Sequence, residues 1–141
     1  MSDKHDPDCI FCKIVAREIP AAVIFEDGRL LAFCDAFPAG EGHALVVPKA
    51  HHENLFELPV ELVKAVSAGA QRLALAQRKA LEPDGLIQTQ FNGKAAGQTV
   101  FHYHVHCIPR WAGTELILHG REQASPETLQ AVAEKIRAVL D

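Results

Sequence analysis

Residues 99–108 are the stretch that most restricts how this chain can fold. Within them, His102-Tyr103-His104-Val105-His106 alternates imidazoles with an aromatic and an apolar residue. On a strand, successive side chains point to opposite faces, so the three imidazoles share one face, about 7 Å apart from one to the next. Tyr103, Val105 and Cys107 fall on the other face and can pack into a core. A run of three imidazoles brings polar nitrogens that need partners, which ordinary core strands avoid. The stretch therefore predicts a sheet with one apolar face and one chemical face, its strand closed by Pro109.

The rest of the chain supplies that sheet and its cover. Strands are predicted at residues 22–25 and Leu30–Cys34, joined by a hairpin turn at Asp27-Gly28. Residues 35–42 read as a loop, residues 43–48 (His-Ala-Leu-Val-Val-Pro) as a mostly buried strand, and residues 86–91 as a strand that Asn92-Gly93 ends. A short amphipathic turn covers residues 9–17. The longest helix is predicted over residues 59–81, where Leu62, Val66 and Leu73 recur at helical spacing. Ser125-Pro126-Glu127 supplies an N-cap, an N1 proline and a first-turn carboxylate for a C-terminal helix carrying Leu129, Val132, Ile136 and Val139. Hairpin-linked strands with separate helices make the class α+β, with an antiparallel sheet of about five strands. Residues 1–8 are expected to be a flexible tail and residues 9–141 a single domain.

Composition limits the function classes. The net charge is −4 and no lysine or arginine cluster stands out, so the basic footprint of a nucleic-acid binder is missing. A single nucleotide needs only a few well-aimed donors and stays open as a ligand. The longest apolar stretches are too short to span a bilayer, and residues 1–8 lack the features of a secretory signal. The expected location is the cytoplasm, where the four cysteines serve as thiols or metal ligands.

Two chemistries fit the imidazole face. A His-x-His pair on a strand can hold a catalytic metal such as zinc. Alternatively, a neutral imidazole can act as nucleophile toward phosphorus while its neighbours hold the group under attack. Asn92-Gly93 and Gly97-Gln98-Thr99 lie just before the histidines. Their glycines let backbone N–H groups approach an anion, and Gln98 and Thr99 add neutral donors. Spacing alone does not choose between the two chemistries.

His102-x-His104-x-His106 followed by Cys107-Ile108 resembles the signature of the histidine-triad family. Gly97-Gln98-Thr99-Val100 before it and Pro109-Arg110 after it strengthen the match. Upstream the resemblance takes in Cys9-Ile10-Phe11-Cys12-Lys13-Ile14, Asp35 and His43-Ala44-Leu45-Val46-Val47-Pro48-Lys49. It implies the histidine-triad fold and a hydrolase that releases a nucleoside monophosphate from a purine nucleotide substrate, either a phosphoramidate or a dinucleoside polyphosphate. A zinc-stabilised nucleotide-binding module with little turnover is the reading from another class. The resemblance assigns His104 as the nucleophile toward the α-phosphorus and His106 to the phosphate oxygens. It assigns Thr99 to leaving-group assistance, with Gln98 beside it. The nucleotide site would comprise Asp35 on the ribose, His43, Asn92, Gly97, and an apolar wall of Ile10, Phe11, Ile14 and Phe33. A homodimer with the sheet extended across the two-fold is also implied, with the long helix as a candidate contact.

Cys9-x-x-Cys12 has the spacing at which two thiolates grip one metal. Zinc-containing relatives complete the set with residues that correspond to His51 and His102, so the resemblance implies a structural Zn2+ on Cys9, Cys12, His51 and His102. His52 competes with His51 on adjacency, and motif spacing favours His51. Cys34 and Cys107 read as small buried hydrophobes.

Overall fold

The computed structural model describes residues 4–117 and 121–141. Five strands, β1 (Val23–Glu26), β2 (Leu30–Cys34), β3 (Ala44–Pro48), β4 (Gly85–Thr89) and β5 (Val105–Arg110), form one sheet in the order β1-β2-β3-β5-β4. Every neighbouring pair is antiparallel. Three helices cover it: α1 (Ile10–Val15), α2 (Val60–Leu81) and α3 (Pro126–Arg137). The predicted α+β class and the five strands are observed.

Strand alternation sorts the side chains onto two cores. Leu30, Ala32, Cys34, Ala44 and Val46 join Tyr103, Val105 and Cys107 in one buried cluster, beside α2 residues Val66, Ala70 and Leu73 and α3 residues Ala133 and Ile136. Leu31, Phe33, Leu45 and Val47 point the other way and pack with Phe11 and Ile14 of α1. β2 and β3 are buried on both faces, which explains why they read as unbroken apolar runs rather than alternating ones. α2 comes close to the sheet because Gly69 meets it. A Cβ there would lie 2.8 Å from Leu30 Cδ1 and 3.2 Å from Val46 Cγ1.

Three expectations about the strands change. The strand predicted at residues 99–108 starts only at Val105. The β3 ladder ends at the Val46–Val105 pair and the β4 ladder at Thr89–His106. Before that point Tyr103 N–H donates to His52 O at 2.7 Å, and the His102 ring, not its backbone, bonds Pro48 O. The alternation of faces nevertheless persists: Tyr103 enters the α2 core, while Phe11 of α1 packs edge-on against both His102 and His104. Pro109 sits inside β5 instead of closing it. β3 pairing stops at Ala44–Cys107, so Pro109 has only β4 alongside and its missing N–H removes no bond to β3. β4 is Gly85–Thr89, ending before residues 90–91, where Gln90 Nε2 turns to bond Phe91 O and Asn92 Oδ1.

Of the expected tail, residues 1–3 lie outside the described residues. Residues 4–8 lie against the body of the protein: His51 N–H donates to Lys4 O at 2.8 Å, and Asp6 N–H points at Cys12 Sγ at 3.4 Å.

Candidate active site and metal centre

Each histidine's proton placement follows from what its other ring nitrogen touches. His104 Nδ1 lies 2.7 Å from the carbonyl of His102, an acceptor, so Nδ1 carries the proton. The lone pair is then on Nε2, which makes no bond within the described protein and is reachable from the adjoining cleft. His43 Nδ1 accepts the Ala39 N–H at 2.9 Å, which puts the His43 proton on Nε2. That N–H donates to His106 Nδ1 at 3.0 Å. The His106 proton therefore sits on Nε2, where it can donate to an anion. The result is one imidazole with a free lone pair beside one with a free N–H, their ring centroids 4.8 Å apart.

All of these rings are held neutral. Burial, reinforced by the neighbouring His106, pushes His43 down from 6.5 to about 3. Burial and the proximity of His104 bring His106 to about 3. His104 is lowered as well, by burial, against the partial opposition of its bond to the His102 carbonyl. A neutral His104 is the form that can attack phosphorus.

The cleft beside them has a volume of about 520 Å³. Ile10, Phe11, Ile14, Phe33 and Leu45 line it with apolar surface. Its polar end holds Asp35, Thr99, His104 and His106. Asp35 Oδ1 accepts the Phe37 N–H at 2.8 Å, and Oδ2 lies 3.4 Å from His43 Nε2. Burial raises the Asp35 carboxyl, while the Phe37 N–H and the Arg121 guanidinium pull it back. His43 reaches the site through His106 rather than by lining the cleft.

Gln98, Asn92 and Gly97 are placed differently from the residues just named. Gln98 is buried and spends its amide on the loop: Nε2 donates to Glu53 O and Val100 O, and Oε1 accepts the Gly93 N–H. Asn92 Oδ1 accepts Leu55 N–H, and its Nδ2 donates to Gln90. Gly97 ends a short 3-10 turn at φ +100°, a conformation that L side chains rarely adopt. These three build the loop that presents Thr99. Sequence reasoning missed the cleft's other wall, made by Arg121, Gln123, Ala124, Leu129 and Gln130. No local signal marks them, because they reach the cleft only through the docking of α3 and the segment before it.

A second cluster stands on the other side of His102. That ring's Nε2–H donates to Pro48 O at 2.7 Å, leaving the Nδ1 lone pair facing two sulfurs. His102 Nδ1 lies 3.4 Å from Cys9 Sγ and 3.6 Å from Cys12 Sγ, while His51 Nδ1 lies 3.3 Å from His102 Nδ1 and 3.4 Å from Cys12 Sγ. A zinc tetrahedron with bonds of about 2.0–2.3 Å has edges of about 3.3–3.8 Å, so the donor set fits that metal. Cys9 Sγ also accepts the Cys12 N–H. Burial first, then the neighbouring Cys9 and Asp6, push the Cys12 thiol up to about 11 against the pull of the Asp6 N–H, so the thiolate form calls for a cation. His52 stays outside the cluster, its Nδ1 buried with no partner among the described residues.

Asp35, His43 and His106 also converge. Metal ligation there would need a lone pair on His43 Nε2. The Ala39 N–H already occupies the Nδ1 lone pair, so Nε2 is the protonated nitrogen. That tautomer disfavours a metal held jointly by Asp35, His43 and His106.

The site is an imidazole-lined cleft on one face of an antiparallel sheet. Residues 16–113 match the HIT domain. The chain is 42% identical over 134 residues to Protein hit of Bacillus subtilis, covering 92% of each chain. Its fold matches a Hit-like protein involved in cell-cycle regulation from Bartonella henselae (TM-score 0.88, 40% identity, 96% of this chain and 99% of that one). It also matches a zinc-bound histidine triad family protein from Mycobacterium smegmatis (TM-score 0.83, 39% identity, 93% and 91%). The chain belongs to the histidine-triad (HIT) family, whose members are generally nucleotide hydrolases.

Proposed function

We propose that this protein hydrolyses purine nucleoside phosphoramidates, or related nucleotidyl substrates, at the α-phosphate through a nucleotidyl-His104 intermediate. The observation that carries this reading is the His104 ring, held by its Nδ1–H on the His102 carbonyl with Nε2 open to the cleft. Nε2 donates its lone pair to phosphorus as the P–N bond to the leaving amine breaks. The His102 carbonyl stabilises the positive charge that develops on the ring. His106 Nε2–H donates to a phosphate oxygen, and the Thr99 hydroxyl passes a proton to the departing amine. Water then attacks phosphorus, the P–Nε2 bond breaks, a proton from water restores Thr99, and the nucleoside monophosphate leaves.

The apolar wall suits a purine, and Asp35 can accept from ribose hydroxyls. Charge favours a small amine over a polyphosphate leaving group. Among the described residues Arg121 is the only lysine or arginine lining the cleft, and Asp35 lies 3.8 Å from it. Incubation with an adenosine phosphoramidate should release the monophosphate, and His104→Ala should abolish turnover and the nucleotidyl adduct seen by mass spectrometry. Undiminished turnover in that variant rules the nucleophile out.

The Cys9, Cys12, His51 and His102 set would hold a structural Zn2+. When bound, the ion would tie α1, and with it Phe11 against His104, to the sheet. A homodimer fits the outer edge of β4, which has no strand beside it among the described residues. The cytoplasmic reading is consistent with four free cysteines, and no described helix is long and apolar enough to cross a membrane.

A further inference from the structure

The geometry points to Arg121 as a nucleotide-binding residue that selects phosphorylated over unphosphorylated nucleosides, supplied by a C-terminal segment beyond the HIT domain match. The inference deepens the function proposed above and rests on a nucleotide occupying the cleft.

The domain match ends at residue 113. The chain then returns to the site. Ala124 N–H bonds Ala36 O at 2.9 Å, directly after Asp35, and Ser125 caps α3 through Thr128 N–H. These two anchors set Arg121, Gln123 and the first turn of α3 along the cleft. The Arg121 side chain is about one quarter exposed, with Nη1 3.8 Å from Asp35 Oδ2 and 3.4 Å from His43 Nδ1. Its charge is felt at Asp35, His43 and His106.

The electrostatic consequence is direct. The imidazoles that meet a phosphate here are neutral, so they offer dipoles but no net charge. Asp35 brings a carboxylate, four-fifths or more out of solvent, to the same end of the cleft. An incoming phosphate would meet an unopposed negative group. Arg121 offsets that group and makes the polar end tolerant of one anion.

The test measures binding of AMP and of adenosine by calorimetry to wild type, Arg121→Gln, Arg121→Lys and the double variant Asp35→Asn with Arg121→Gln. Each is first shown folded by circular dichroism. Arg121→Gln should weaken AMP by about tenfold or more and adenosine by less than about threefold. Arg121→Lys keeps the charge and should hold the AMP-to-adenosine preference within about threefold of wild type. The double variant removes both charges and should recover most of that preference, even though loss of the Asp35 contact weakens both ligands. Equal weakening of AMP and adenosine in Arg121→Gln, or no weakening of either, overturns the assignment while leaving the nucleotide reading intact. Failure of wild type to bind AMP at all overturns the nucleotide reading and this inference with it.

Discussion

Acid should destabilise this fold in a window where carboxylates are still largely ionised, and the His43–His106 pair gives the expected size. Both imidazoles are driven down from 6.5 to about 3 in the folded protein, chiefly by burial. The unfolded chain therefore takes up two protons that the folded chain refuses between those values. The sign follows: this contribution is fully present above about pH 6.5 and is lost as pH falls toward 3. Going from pH 7 to pH 5 should cost about 2 kcal/mol per histidine, about 4 kcal/mol for the pair. That is a large share of the about 5–15 kcal/mol of a typical domain. Asp35 opposes the trend, since burial raises its carboxyl. Urea unfolding at pH 7, 6 and 5 reads the slope, and His43→Gln isolates one imidazole of the pair from other acid-labile groups. The variant's slope should be shallower by about 1.4 kcal/mol per pH unit below pH 6. Identical slopes in wild type and variant, or imidazole resonances of His43 and His106 titrating near pH 6.5, would refute the reasoning.

Two further outcomes follow from the packing and the metal cluster. Cys12→Ser should remove zinc from protein purified without chelator and lower the melting temperature by at least about 10 °C when free zinc is well above its Kd. Wild-type protein without zinc by elemental analysis sinks this expectation. Gln77 on α2 is fully buried, and its Nε2 bonds both Gly42 O at 2.8 Å and Cys107 O at 3.0 Å, next to His43 and His106. Gln77→Met removes both of these bonds and also the Oε1 that has no partner among the described residues, so the net loss should be about 1–2 kcal/mol. It should also slow turnover through the slackened His43–His106 contact, whereas a more stable variant with unchanged turnover argues against the clamp.

Much of the site could be read along the chain because its information is local. The alternation of His102, His104 and His106 with core residues survives even where the ladder does not. Tyr103 still needs the α2 core, and that fixes the imidazoles on the α1 side. The Cys9-x-x-Cys12 pair sits on one helical turn, and His51 and His102, which the family resemblance named, lie close to it. The Ser125 cap and Pro126 start α3 where sequence placed them.

Other features were decided by tertiary structure. Where β5 begins depends on where β3 and β4 stop pairing with it, and no residue in 99–104 encodes that. Gln98 and Asn92 look like anion donors in sequence, but neighbouring strands and loops claim their amides. Arg121 carries no motif at all. By itself the sequence determined which side chains share a face, because strand and helix periodicity are properties of consecutive residues. Only the folded chain decided which ring nitrogen keeps its proton and which cation meets Asp35, because both depend on groups brought together from distant parts of the chain.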